Sequence, residues 1–352
     1  MALELIKDTL KFDQTIGEGH GQLLVDKDII LPDIKPDLAR VLSVEGKVNI
    51  TGKDSDQDRV NVEGNVNFAV LYSSADEPQP IYSVNFSDDF TQSIDIPGAG
   101  PGMDTEIKCI IEHLDFNRMN GRKLNIQCVL NLNGKVMDRI PIDVIKEAGG
   151  VPDIQLLRDT VAAEEIVGEN STQTVVRGSI QVPVGVPSAD ELIKVSGYIH
   201  KKDASIEDGR LSITGCILVP VLFSAKSDNP DIYKLEEDIL FSHIIEMPGI
   251  TPDMSCSVDY NVDNIEAQLV ENEEGEKRQI DIEAVVGLKA KACQRNEYPV
   301  IMDMYAPSAG IEPDRTKVEM DLLFGSNSSQ AIIRESLQLP KDYPEMEKVY
   351  DM

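Results

Sequence analysis

Hydrophobic and polar residues alternate along most of the chain. Val66, Phe68, Val70 and Tyr72 occupy every second position of one such run, and this is the spacing of a β-strand that buries one of its faces. The same alternation predicts strands at residues 44–50, 84–86, 91–96, 106–116 and 123–132. Short glycine-containing clusters such as Asn120-Gly121 separate the runs, and they favour tight hairpins. The pattern predicts an all-β fold of antiparallel sandwich or barrel-like modules.

One long pattern of residues occurs twice. The segment Arg59–Ser73 returns as Arg210–Ser224, at a shift of 151 residues without a gap, and Pro97-Gly98 returns at the same shift as Pro248-Gly249. The segment that precedes each copy, here called the lead-in, occurs three times and begins at Gly17, Gly168 and Gly325. After each lead-in come a strand-like run and two prolines four residues apart, namely Pro32 and Pro36, Pro183 and Pro187, and Pro340 and Pro344. Self-similarity at a fixed period indicates tandem modules.

The repeat predicts the domain organisation. Residues 1–150 are expected to form module 1, residues 151–310 module 2, and residues 311–352 the lead-in of a truncated third module. A chain of 352 residues also exceeds the size at which one hydrophobic core usually suffices. An alternative to truncation is that the last segment completes a sheet of a neighbouring molecule by strand addition.

Each module is also expected to hold one short helix. In the segment Pro36–Leu42, proline presets the first helical turn and Asp37 suits the positive end of a helix dipole. Related segments lie at residues 189–193 and 345–349. A further helix, a linker between the modules, is expected at residues 151–165, where Ile154, Leu157 and Val161 are hydrophobic.

Composition and charge narrow the classes of partner. The chain is 41% hydrophobic and 27% charged, with a formal net charge of −29. This composition is typical of a folded protein, but such a charge repels phosphate backbones and anionic membranes. We therefore expect no nucleic-acid partner and no membrane insertion. No secretory signal is visible, and five cysteines without a CxxC pair are typical of a reducing compartment.

The search for catalytic and metal-binding motifs gives no candidate. Residues 54–58 place aspartates as a calcium loop does, but position six is Arg59 and position twelve is Asn65, where that loop needs glycine and glutamate. We interpret this segment as a solvated hairpin tip. His20, His113, His200 and His243 lack the spacing of metal or catalytic motifs. We predict no enzyme activity, no cofactor, and no catalytic, cofactor-binding or metal-ligating residues; binding residues stay unassigned.

The proline segment carries a resemblance to a known family. Leu31-Pro32-Asp33-Ile34-Lys35-Pro36-Asp37-Leu38 and the following Val41-Leu42-x-Val44-x-Gly46 resemble the SPOCS domain of sporulating Clostridia. Module 2 keeps less of this motif, as Val182-Pro183 to Pro187 and Leu192-Ile193-x-Val195-x-Gly197. The family includes spore-coat morphogenetic proteins of the SipL type, which carry a terminal LysM domain that this sequence lacks.

The resemblance implies a non-enzymatic structural or adaptor role in assembly of the spore coat or envelope. The expected partners are other coat morphogenetic proteins, including the coat scaffold that hydrolyses ATP, and further copies of the chain. The implied location is the mother-cell cytoplasm, at the forespore surface. An alternative role is binding of peptidoglycan or another glycan, although a chain without tryptophan is a poor platform for stacking on sugar rings.

Overall fold

The computed structural model describes residues 3–74, 81–226, 231–314, 335–336 and 349, apart from the side chains of residues 11–12. Six strands form module 1, in two antiparallel three-stranded sheets. One sheet has the order β1-β6-β5 and the other has the order β2-β3-β4. The strands are β1 (Glu4–Ile30), β2 (Arg40–Asp56), β3 (Arg59–Ser73), β4 (Tyr82–Asp95), β5 (Asp104–Arg118) and β6 (Lys123–Gly149).

Module 2 repeats this arrangement. One sheet has the order β12-β13-β7, and in the other β10 lies between β11 on one side and β8 and β9 on the other. The strands β8 and β9 take the place of the single β2 of module 1. The strands are β7 (Gln155–Gln181), β8 (Ala189–Val195), β9 (Tyr198–Glu207), β10 (Arg210–Ala225), β11 (Ile232–Glu246), β12 (Ser255–Glu271) and β13 (Lys277–Tyr305).

The repeat continues beyond the part that a single fixed shift reveals in the sequence. In module 1 Leu124 pairs with Ile29, and in module 2 Ile280 pairs with Ile180, which is the residue equivalent to Ile29 in the repeat. Leu124 therefore corresponds to Ile280, and these two positions lie further apart along the chain than Ile29 and Ile180 do. The hairpin before β13 is longer than the hairpin before β6 by this difference. A comparison at the fixed shift of 151 residues therefore does not reveal that β6 and β13 are equivalent.

A separate hydrophobic core lies between the two sheets of each module. The central strands supply most of it, because every second residue of a central strand points into the core. In module 1, six inward side chains of β6 have no exposed surface, and each aliphatic one among them is worth about 1.5–3 kcal/mol of burial. These residues are Leu124, Ile126, Cys128, Leu130, Leu132 and Val136. Inward residues of β13 fill the same position in module 2. The predicted all-β architecture is confirmed.

The prediction of a short helix in each module is wrong. Residues 36–39 precede β2 without regular structure, and residues 189–193 lie within β8. The amide of Leu38 donates to the carbonyl of Gly121 at 2.7 Å, and the amide of Ala39 donates to that of Ser73 at 2.8 Å. These amides bind neighbouring segments instead of a helical turn. The expected helix at residues 345–349 lies outside the described residues except for Val349.

The helix expected at residues 151–165 is also replaced by a strand. The strand β7 begins at Gln155 and pairs with β13 along its whole length, from Gln155 with Tyr305 to Gln181 with Gln279. Its partner therefore satisfies the backbone groups that a helix would satisfy internally. The strands β1 and β6 of module 1 pair over a similar length, from Glu4 with Gly149 to Ile30 with Lys123.

Two glycines of the lead-in allow close contact between the sheets. A Cβ atom on Gly17 would lie 2.7 Å from the carbonyl oxygen of Pro97, and one on Gly19 would lie 2.3 Å from that of Asp95. Both distances are far below van der Waals contact. Glycine is therefore required where β1 passes the edge strand β4.

Candidate functional site

An arginine holds the proline loop on which the family resemblance rests. The guanidinium of Arg122 donates to the carbonyl oxygens of Leu31 at 3.1 Å, Pro32 at 2.8 Å and Lys35 at 2.7 Å. It also pairs with Asp37 at 3.1 Å. Five N–H donors in a fixed plane suit such a set of acceptors. This one side chain thus binds three carbonyl groups of the loop at once.

Module 2 contains an equivalent arginine, which binds carbonyl groups of its own proline loop. Arg278 precedes Ile280 by two residues, just as Arg122 precedes Leu124. Its guanidinium donates to the carbonyl oxygens of Val186 at 3.0 Å and Pro183 at 3.4 Å. Its Nε binds Glu276 at 2.6 Å. Sequence reasoning missed both arginines because the longer hairpin removes them from the register of the repeat.

A groove of about 1120 Å³ lies between the two modules. Residues of β2, β3 and β4 line one side, and residues of β8, β9 and β12 line the other. Tyr198 is the most exposed hydrophobic side chain along it, at 57%. Beside Tyr198, the partly buried Phe86, Ile199 and Ile265 add apolar surface. A second, smaller cavity of about 420 Å³ lies within module 1, beside His20 and Lys135.

Buried contacts join the modules at this groove. Leu71 of module 1 forms a hydrophobic cluster with Ile193, Leu222 and Ile232 of module 2. The side chain of Lys194 is only 10% exposed and binds Glu45 across the interface at 2.6 Å. Lysine is costly to bury unless it is paired, so the pairing with Glu45 stabilises this contact between the modules.

Two further lysines of module 1 extend these contacts. Lys35 pairs with Glu191, and the ammonium of Lys47 donates to the carbonyl oxygen of Val262. Burial lowers the pKa of Lys47. Neither lysine belongs to a motif that marks an interface. The contact surface was therefore not visible in the sequence.

A histidine, a cysteine and an aspartate meet on the outer face of the β10 sheet. The donor atoms of His200, Cys216 and Asp238 all lie within 4.8 Å of one another. His200 Nε2 lies 2.9 Å from Asp238 Oδ1, and Lys201 Nζ lies 3.2 Å from Asp238 Oδ2. The hydrogen bond from His200, followed by that from Lys201, lowers the pKa of Asp238, whereas burial raises the pKa of the Cys216 thiol.

Strand pairing brings these three residues together. His200 on β9 lies opposite Cys216 on β10, and Asp238 on β11 lies opposite Leu218, two residues further along β10. They are far apart in the sequence and have no motif spacing. Sequence reasoning assigned no ligand role to any histidine, and it gave no sign that strand pairing brings His200 to Cys216 and Asp238. The other three histidines lie on β1, β5 and β11.

The segment 54–58 comprises the end of β2 and the turn into β3, so the predicted hairpin is present, but Ser55 is buried and not solvated. Its polar groups bind the loop that follows Pro97. Ser55 Oγ donates to the carbonyl of Gly100 at 2.7 Å, and Asp58 Oδ1 accepts from the amide of Gly98 at 2.8 Å. The hydrogen bond from Gly98 lowers the pKa of Asp58. These contacts give the segment a structural role in the turn.

All five cysteines lie in the described part of the chain, and none forms a disulfide. Burial raises the pKa of Cys109 to about 11, and Cys128 is fully buried. A thiol with a raised pKa is a weak nucleophile near neutral pH. No helix that could cross a membrane occurs in the part of the chain that the structure describes.

Comparison with protein families gives one match, which occurs twice. The family model of the SipL SPOCS domain matches residues 37–119 and 188–270. The two matches are offset along the chain by the same distance as the two copies of the repeat. Each runs from the end of a proline loop to the end of β5 or β12. Comparisons with curated proteins and with solved structures gave no match.

The matched family fits the tandem β modules, and it is not a known enzyme family. It indicates a role related to sporulation. The chain is a SipL-like SPOCS-domain protein that contains two copies of the domain.

Proposed function

We propose that this chain is a non-enzymatic adaptor in assembly of the spore coat or envelope, and that it binds other coat proteins through the surfaces of its modules. The proposed location is the mother-cell cytoplasm, at the surface of the forespore. The proposed partners are coat morphogenetic proteins, with the ATP-hydrolysing scaffold of the coat as the first candidate. Self-association through the same modules is a second form of this role.

The observation that carries the proposal is the fixed arrangement of two SPOCS domains around an open groove. The ion pair of the mostly buried Lys194 with the half-exposed Glu45 and the hydrophobic cluster around Ile193 join the two modules. An adaptor benefits from such an arrangement because a preformed surface loses little entropy when a partner binds.

The groove has the chemistry of a protein-binding surface. It combines the exposed Tyr198 and partly buried aliphatic side chains with lysine and acidic groups. Tyrosine is enriched in such interfaces because one side chain supplies a large apolar area and a hydroxyl group. Tyr198, more than half exposed, is therefore the residue expected to contribute most to binding.

The test is binding of the purified chain to the purified coat scaffold protein, measured by calorimetry. The variant Tyr198→Glu places a charge in the groove, and we expect it to weaken binding about tenfold or more. Leu24→Glu is the matched control, because Leu24 is 58% exposed but lies on β1, outside the groove. Its affinity should equal that of the unchanged chain.

Three outcomes distinguish the alternatives. Equal affinity of Tyr198→Glu and the unchanged chain would move the binding surface away from the groove. A mass that rises with concentration in sedimentation equilibrium would favour self-association. Binding to purified peptidoglycan, together with failure to bind any coat protein, would replace the adaptor role with glycan binding.

A further inference from the structure

We propose that His200, Cys216 and Asp238 form a binding site for a divalent cation of the zinc class. The three side chains present an imidazole nitrogen, a sulfur and a carboxylate oxygen, and all three atoms lie within 4.8 Å of one another. Zinc binds these three ligand types at about 2.0–2.3 Å in tetrahedral geometry. Magnesium and calcium prefer oxygen ligands alone.

Two of the three donor atoms need little movement to reach tetrahedral spacing. Bond lengths of about 2.0–2.3 Å place neighbouring ligand atoms about 3.3–3.6 Å apart. His200 Nε2 and Asp238 Oδ1 are now 2.9 Å apart and share a hydrogen bond. An ion can replace the proton between them after a separation of about 0.4 Å.

The ligands stand on three neighbouring strands of one sheet, which hold them more precisely than loops do. The side chain of Ile217 packs in the core of module 2. Because successive side chains of a strand point to opposite faces, the thiol of the adjacent Cys216 points to the outer face of the sheet. His200 lies directly across from Cys216 on that face. Asp238 reaches the same point from β11.

A β-bulge completes the arrangement. Between Asp203 and His200, Lys201 and Lys202 oppose the single Gly215, and Lys201 has a φ of 52°. This conformation is uncommon for a residue other than glycine. Because of the bulge, consecutive residues His200 and Lys201 both reach Asp238, although strand neighbours normally point to opposite faces.

The bulge gives Asp238 a supporting partner. Lys201 holds Oδ2 of the carboxylate at 3.2 Å, while Oδ1 faces His200. Ligating carboxylates in metal sites are commonly held by a second hydrogen bond of this kind.

The site is open on the side of two of its ligands. The side chains of His200 and Asp238 are 29% and 43% exposed, so an ion reaches them from solvent. Cys216 has no exposed surface. A catalytic cysteine must be reached by its substrate, whereas a cysteine ligand needs to be reached only by the ion. The burial of Cys216 therefore favours metal binding over nucleophilic catalysis.

Module 1 provides an internal comparison. Asn49, Asn65 and Ser87 occupy the positions equivalent to His200, Cys216 and Asp238 at the fixed shift of the repeat. Asn49 Nδ2 donates to Asn65 Oδ1 at 3.2 Å. The fold thus accepts a neutral amide pair at this position, and module 2 replaces all three residues with metal ligands.

The test is titration of the untagged, chelator-treated chain with Co²⁺, followed by Zn²⁺. We expect one equivalent of Co²⁺ to produce the near-ultraviolet absorption of a thiolate bound to cobalt, and Zn²⁺ to remove it. The double variant His200→Asn/Cys216→Asn, which copies the amide pair of module 1, should lack this absorption. Cys256→Ser removes another cysteine of module 2 and should keep it.

The variants are first checked for the circular dichroism of the unchanged chain. If the double variant does not fold, His200→Asn alone keeps the thiol and is expected to bind Zn²⁺ about tenfold or more weakly. Absence of thiolate absorption in the unchanged chain, its persistence in the double variant, or unchanged Zn²⁺ affinity in His200→Asn would each overturn the proposal.

Discussion

Replacing Arg122 with alanine removes the guanidinium that holds the proline loop of module 1. Three carbonyl oxygens lose a charged donor at 2.7–3.1 Å. A hydrogen bond to a charged group contributes about 1.5–3 kcal/mol when it is buried. The Arg122 side chain is 32% exposed, and water replaces part of what is lost. We therefore expect the variant to lose about 2 kcal/mol of local stability, well below the sum of three buried bonds.

Hydrogen exchange measured by mass spectrometry detects this loss of stability at the amides of the loop. The amides of Leu31 and Leu38 bind the carbonyl oxygens of Arg122 and Gly121, so they are protected only while the loop is docked. A loss of about 2 kcal/mol corresponds to exchange about 30 times faster at these amides. The peptide that covers residues 31–40 should show the change, and peptides of module 2 should not.

Two further variants separate geometry from charge. Arg122→Lys keeps the positive charge but not the planar set of donors, so it should lose most of the protection. Arg139→Ala removes a different arginine, 53% exposed and paired with Asp13 at 3.2 Å, and should leave the loop unchanged. Protection in Arg122→Lys equal to that of the unchanged chain would refute the argument from guanidinium geometry.

Three other changes have defined outcomes. Gly64→Ala should lower the free energy of unfolding by about 1–3 kcal/mol in urea titrations, because its Cβ would lie 2.7 Å from a phenylalanine ring on β4; Gly149→Ala, with open space around it, is the control. Burial raises the pKa of Tyr72 and Tyr260 from 10.0 to about 12. The folded state therefore retains their protons longer than the unfolded state, and stability that is complete below pH 10 should fall between pH 10 and about 12. Tyr72→Phe should reduce this fall, and an unchanged fall would contradict it. Ile193→Asp charges the buried cluster between the modules, so small-angle X-ray scattering should show a larger radius of gyration with unchanged circular dichroism.

The strands and the repeat could be predicted from the sequence because they depend on local spacing. Alternation over Val66, Phe68, Val70 and Tyr72 gives the inward face of β3 directly. The helix expected at Pro36 failed because proline and an acid at a helix start are also compatible with an extended loop. Contacts with Gly121 and Ser73, distant in sequence, decide between the two structures.

The candidate sites depend on pairing between strands, and for this reason sequence reasoning missed them. The register of β9 and β11 on β10 places His200 and Asp238 beside Cys216. One signal was present in the sequence, because all three positions differ together from Asn49, Asn65 and Ser87 of the first copy. The groove could not be predicted either, because it depends on how the two modules are placed relative to each other and local sequence patterns do not indicate this placement.

The two copies of the module have similar residues at core positions and different residues at the outward-facing positions. Leu124 and Ile280 occupy the same core position, and Gly64 lies beside a phenylalanine ring just as Gly215 does. These positions are restricted by packing, so they determine the fold and carry little information about binding. Outward positions of the sheets are free from this restriction. The difference between the amide pair of module 1 and the histidine and cysteine of module 2 therefore gives the two modules surfaces with different side-chain chemistry, within one fold.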